Sequence, residues 1–110
     1  IEPSRLFEAP VEAIKCLLHK SNLTLDDIDL IEVNEAFPSQ VLANGKVLEW
    51  DWDKVNMNGG AIALGHPIGA SGARILVTLI HALLDRGLNS GIAALCHGGG
   101  GAVAVRISIC

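Results

Sequence analysis

The stretch Met57–Leu84, MNGGAIALGHPIGASGARILVTLIHALL, decides how the rest of the chain is read. A run of small residues gives way at Gly65-His66-Pro67 to a long apolar segment. Proline is favoured at the first position of a helix, where its missing N–H has no partner to lose. The pattern predicts a helix that starts near Pro67 to Ala70 and ends at Gly87, with Arg86 as a cation in the last turn. His66 would then occupy or adjoin the N-cap, where bare N–H groups and the helix dipole favour an uncharged ring. Such a ring suits a base or a hydrogen-bond donor to an oxyanion. A histidine that merely caps a buried helix fits the same letters. Ile75, Leu76, Val77, Leu79, Ile80, Ala82, Leu83 and Leu84 leave the helix apolar nearly all round. It needs cover on several sides, more than one small sheet in 110 residues can supply. A second domain or another chain is expected against it, and His81, inside this helix, is expected to be structural.

On the N-terminal side, Pro10 opens a helical pattern with Val11, Ile14, Leu17 and Leu18 on one face and Asn22 as its stop. An acidic turn leads into a short strand, Leu30 to Val33, and a second helix is expected from Ala36 to Leu48. EWDWDKVN reads as a loop returning to a short extended piece. On the C-terminal side, SGIAALC and GAVAVRISI read as two strands joined by HGGG, short enough for an antiparallel hairpin. The expected order is α-β-α-α-β-β, an α/β layer sandwich with a mixed sheet. The whole of residues 1–110 is read as one domain.

Composition narrows the function classes. Half the residues are hydrophobic and 18% are charged, which excludes disorder. No uninterrupted apolar span of about 18 residues occurs, so a membrane helix is not expected. The net charge of −4, with eight scattered basic residues, argues against nucleic acid. Cys16, Cys96 and Cys110 are odd in number and widely spaced, which suits a reducing, intracellular setting rather than a disulfide framework. The histidines and cysteines lack zinc spacing, GHPIGASG is neither a dinucleotide fingerprint nor a Walker A sequence, and no metal is expected.

Two further stretches carry chemistry. In ALCHGGGGA, Cys96 ends an apolar strand, and the glycines after His97 leave backbone N–H groups bare, as an oxyanion site requires. A thiol there can be a nucleophile or an acid/base, or simply a buried strand cysteine before a turn. In EVNEAF, Asn34 and Glu35 stand at a strand-to-helix junction, the rim where α/β folds gather ligands. Asn34 also reads as an ordinary helix N-cap.

NEAF at Asn34 to Phe37, GGAIALGHPIGASGAR at Gly59 to Arg74 and CHGGGGA at Cys96 to Ala102, in this order, resemble the C-terminal half of a thiolase. The likeness covers nearly the whole chain, and its middle stretch is very specific. It implies a fold of two similar α/β halves in five layers, of which this chain resembles one half, opening at a helix with its first strand apparently missing. It implies acyl transfer between coenzyme A thioesters in fatty acid metabolism, with no cofactor beyond those substrates. Catalytic roles would fall to His66, Cys96 and Asn34. His66 would activate a reactive cysteine and, with Asn34 acting through a water, hold the thioester oxyanion. Cys96 would shuttle the α-proton, the Gly98 N–H would serve a second oxyanion site, and Gly65, Ala63 and Phe37 would lie against substrate. The reactive cysteine belongs to the family's N-terminal half, which this sequence lacks. That half is therefore an expected partner, the chain alone is expected not to turn over, and the full enzyme is expected to be a cytoplasmic homo-oligomer, an organellar matrix being the other setting considered. Two positions depart from the family: His97 replaces an aliphatic or small residue, and Gly101 replaces a glutamine. A non-catalytic assembly module is the competing reading. A condensing enzyme of the ketoacyl synthase type fits less well, because such enzymes place histidine or asparagine where this chain has Cys96.

Overall fold

The computed structural model describes residues 2–110, so Ile1, where the sequence reading starts the domain, lies outside the described residues. The chain runs from a 3-10 segment (Pro3–Glu8) into α1 (Ala9–Ser21), then β1 (Leu30–Val33) and α2 (Pro38–Leu48). A short α3 (Ala61–Leu64) and a long α4 (Ser71–Arg86) follow, and β2 (Ser90–His97) and β3 (Gly101–Ser108) close the fold. The strands form one sheet in the order β1-β2-β3, with β1 and β2 parallel and β2 and β3 antiparallel, so the expected mixed sheet is present.

Each face of the sheet carries its own apolar cluster. Ile31 and Val33 of β1 and Ile92 and Ala94 of β2 pack with Ile14 and Leu18 of α1 and Val41 of α2. Their neighbours Leu30 and Ala93 point the other way, onto Ile75, Leu79, Ala82 and Leu83 of α4. This is the period-two alternation of a sheet covered on both sides. α1 ends where Asn22 adopts a left-handed φ of 56°, a conformation that asparagine tolerates better than most residues.

The edge of β1 away from β2 is finished by a loop and a side chain. Val55 makes a single parallel bridge to Ile31, the short extended piece expected after EWDWDK. Beyond it, Asn56 substitutes for a strand. Its Oδ1 accepts from the Val33 N–H at 2.8 Å, and its Nδ2 donates to the Val33 carbonyl at 2.9 Å. The carboxamide thus satisfies both peptide groups of the last β1 residue, as a neighbouring backbone would.

Three expectations are corrected. The second helix begins at Pro38 instead of Ala36, because Phe37 is extended (φ −147°) and proline takes the first helical position. The third begins at Ser71, since Pro67–Ala70 forms a turn closed by the Ala70 N–H on the Pro67 carbonyl at 2.7 Å. The intervening α3 was not anticipated at all. Within the chain, α4 is covered along one face only: Val77 and Leu84 stay more than half exposed, and His81 is exposed as well. Among the described residues no helix is long and apolar enough to cross a membrane.

One carboxylate sits under the sheet. Glu32 on β1 is 2% exposed, and burial pushes its pKa up to about 7, against a partial opposing pull from Arg74. The folded state therefore binds this proton more tightly than the unfolded chain does, so the contribution is full below pH 4.5 and is lost as pH rises through 7. Melting curves of the parent should show stability falling across that window by up to about 3 kcal/mol, a trend that Glu32→Gln flattens. Asn56→Ala should cost about 2–3 kcal/mol in urea denaturation, because it strips hydrogen bonds from β1 and leaves a left-handed φ without the side chain that tolerates it.

Candidate active site

The parallel register places Val33 beside Ala94, so β1 and β2 end at the same rim of the sheet. The Asn34 N–H continues the ladder to the Ala94 carbonyl at 2.9 Å. Two residues further along β2, Cys96 stands half-buried. It lines a cavity of about 320 Å³ together with His66, His97, Gly98 and the apolar walls Leu6, Phe7, Phe37 and Ile68. Desolvation raises the Cys96 thiol above its ordinary pKa, which favours the protonated form and a role as proton donor.

His66 reaches this cavity from the loop between α3 and α4. It lies five residues before the helix starts, so it is not an N-cap, and Ala70 takes that position. What orients the ring is Ser71. The Ser71 Oγ donates to the Pro67 carbonyl at 3.1 Å, and a carbonyl can only accept. The same oxygen must therefore accept from His66 Nδ1–H, at 2.5 Å. In the neutral ring this leaves the Nε2 lone pair as the one free to take a proton.

The loop carrying His66 is tied back to β1 by Glu35. One carboxylate oxygen accepts from Asn56 Nδ2 at 3.0 Å, and the other accepts from the Ile62 N–H at 3.1 Å. Glu35 thereby meets one of the bare donors at the start of α3. Gly60 makes this approach possible: a Cβ there would lie 2.2 Å from the carboxylate. From α3 the chain turns at Gly65, with φ at 100°, straight into His66.

The opposite wall is held by carboxamides. The Ala36 N–H donates to Gln40 Oε1 at 3.1 Å, and Gln40 Nε2 donates to Asn44 Oδ1 at 2.8 Å. Asn44 Nδ2 then donates to the Phe7 carbonyl. Gln40 and Asn44 are both fully buried, so α2 grips the N-terminal segment from inside the protein.

Of the residues picked from the sequence, His66, Cys96, Gly98 and Phe37 meet at the cavity. Asn34 does not line it and is no helix cap; its side chain is fully buried, with neither amide atom hydrogen-bonded among the described residues. Ala63 and Gly65 are also outside the lining: Ala63 lies on the exposed side of α3, and Gly65 serves as its C-cap. Leu6, Phe7 and Ile68 were missed as wall residues, and Gln40, Asn44 and Ser71 as their supports. Among the described residues no group of three or more His, Cys, Asp or Glu side chains could hold a metal ion.

Known proteins share this fold. The family model described as the thiolase C-terminal domain matches residues 1–109. The acetyl-CoA acetyltransferase of Escherichia coli K12 is 57% identical over 107 residues, which is 97% of this chain and 27% of that protein. The crystal structure of the Bacillus anthracis acetyl-CoA acetyltransferase superposes with a TM-score of 0.94 at 50% identity, covering 98% of this chain and 27% of that one. A thiolase from Ascaris suum, solved in complex with coenzyme A, gives a TM-score of 0.94 at 49% identity over 100% of this chain and 28% of that one. The chain thus spans about a quarter of the length of the relatives it matches. On the family match and the shared fold together, this chain belongs to the thiolase family, as its C-terminal domain.

Proposed function

We propose that this domain supplies the proton-transfer and oxyanion half of a thiolase site, which exchanges acyl groups between coenzyme A thioesters. The observation that carries the reading is the meeting of His66, Cys96 and Gly98 on one cavity, with the His66 Nδ1 already occupied by Ser71. In the condensing direction, a reactive cysteine on the remainder of the enzyme holds an acetyl group. Cys96 gives its proton to the coenzyme A thiolate that leaves when that cysteine is acetylated; as thiolate it then takes an α-proton from a second acetyl-CoA, and the enolate carbon attacks the carbonyl of the acetylated cysteine. Collapse of the tetrahedral intermediate expels the cysteine thiolate and leaves acetoacetyl-CoA. In thiolysis the steps reverse, and the Cys96 thiol protonates the departing enolate.

Enolate formation next to a thioester is difficult, so donors must already be in place. His66 Nε2 takes the proton of the reactive cysteine when that residue is acylated, and in its protonated form donates to the thioester oxyanion. The Gly98 N–H serves the oxyanion at the acylated cysteine. The buried carboxamide of Asn34, with no partner for either atom among the described residues, supports a part played through a bridging water. Phe37 and Phe7, with ring centroids 5.1 Å apart, form an apolar wall suited to a short acyl group.

The exposed Val77 and Leu84 on α4, with Ile62, Leu64 and Ile68 nearby in sequence, support burial of this face against the rest of the enzyme. Three free cysteines support a reducing compartment, the cytoplasm or an organellar matrix. Fatty acid metabolism and a homo-oligomer complete the reading on the family likeness.

The test grafts residues 1–110 in place of the matching segment of the E. coli acetyl-CoA acetyltransferase and follows thiolysis of acetoacetyl-CoA. The graft should turn over, whereas the chain alone should not. Cys96→Ser should lower kcat by about 10²–10⁴, and His66→Ala by a similar factor, the range for losing an acid/base group. Undiminished turnover in His66→Ala would defeat the assignment. A folded graft with no turnover would favour a pure assembly role.

A further inference from the structure

His97 and Gly101, the two positions that the sequence reading set apart, stand directly opposite each other. They are cross-strand partners in the last pair of the β2–β3 hairpin. Between them runs Gly98-Gly99-Gly100, and the second and third of these have φ near 90° (91° and 90°). Three successive glycines carry more backbone freedom than any other tripeptide, which is a poor way to present a donor. The imidazole of His97 limits that freedom. Its Nδ1 lies 2.8 Å from the Gly98 carbonyl and, facing an acceptor, must be the protonated nitrogen. This bond closes a ring through ψ of His97 and both torsions of Gly98. The peptide that bears the Gly98 N–H lies inside that ring.

The ring can sit there only because residue 101 has no side chain. A Cβ on Gly101 would lie 2.0 Å from His97 Nε2 and 2.1 Å from Cε1. Gly101 has an ordinary φ, so alanine would strain nothing in the backbone and would act only by evicting the imidazole.

We propose that His97 is a positioning residue that aims the Gly98 N–H into the active-site cavity, and that Gly101 is glycine to make room for it. The inference rests on the thiolase reading for its catalytic consequence, but not for its geometry.

Two measurements separate the two. In the 110-residue chain labelled with [15N]histidine and [15N]glycine, long-range couplings should show His97 protonated at Nδ1 when neutral, and relaxation should show an ordered Gly98 amide. His97→Ala and Gly101→Ala should both loosen that amide. His97→Asn, whose amide nitrogen occupies the Nδ1 place, should restore it; His97→Gln, whose nitrogen falls at the Nε2 place, should not. In the grafted acetyltransferase, His97→Ala and Gly101→Ala should each lower kcat about tenfold with KM within about twofold, as a misaimed donor does. Adding Gly101→Ala to His97→Asn should then have no further effect. An Nε2-protonated ring, or a Gly98 amide equally mobile in parent and His97→Ala, overturns the geometry. An ordered amide with kcat unchanged in His97→Ala overturns the catalytic role while leaving the thiolase reading intact. A graft that is inactive with His97 present sinks that reading and the catalytic role with it, and the labelled chain alone then decides whether His97 positions the turn.

Discussion

The parallel pairing of β1 with β2 is the constraint from which the site follows. Antiparallel neighbours would send their C-terminal ends to opposite rims. Here the Val33–Ala94 register delivers EVNEAF and LCHGGGG to one rim, from segments some 60 residues apart in the chain. A parallel pair needs a long crossover, and this crossover contains α2, α3, the His66 loop and α4. Residues that share no local sequence therefore converge on about 320 Å³ of space. The edge that keeps β1 in place is finished by Asn56, and the same carboxamide steadies Glu35, which holds the start of α3. The position of His66 is thus inherited from the register of the sheet.

Proton direction within the site is set by groups that have no choice. The Pro67 carbonyl can only accept, so the Ser71 hydroxyl must donate to it and receive from His66. The Gly98 carbonyl imposes the same order on His97. Both histidines at the cavity are consequently held in the Nδ1–H form when neutral. Cys96, by contrast, is governed by burial, which favours its protonated form. One ring held directly by a backbone carbonyl and one held through the Ser71 hydroxyl thus share the cavity with a thiol whose protonated form desolvation favours.

Much of this was legible in the letters. The strand Leu30–Val33 was read from the short apolar run after an acidic turn, and the stop at Asn22 from a residue that tolerates the left-handed region. The hairpin came from two apolar runs and a glycine turn. The start of α4 did not, because Pro67 carries the mark of a first helical residue while actually opening a turn; the marker is the same in both settings. Four residues, Ala61–Leu64, are too few to show a helical period, so α3 was invisible. His66, Cys96 and Gly98 were picked from motif chemistry together with the thiolase resemblance, and Asn34 was placed at the right rim, though not in the cavity wall. Ser71 and Asn56 could not have been found, since a hydrogen bond over long or irregular spacing leaves no pattern in sequence. The relation of His97 to Gly101 required the strand register, which sequence does not print.

The carboxamide ladder from Ala36 to Phe7 has a polarity. Because the Ala36 N–H can only give, Gln40 must turn its oxygen toward it and its nitrogen toward Asn44, which must in turn face its own nitrogen to Phe7. Neither amide can flip alone without setting two oxygens or two N–H groups nose to nose in a dry interior. The helix behind the cavity and the aromatic wall in front of it are therefore threaded on a one-way cord. A shift of α2 along its axis would be felt at Phe7 as a tug, before any other atom of the cavity wall had changed.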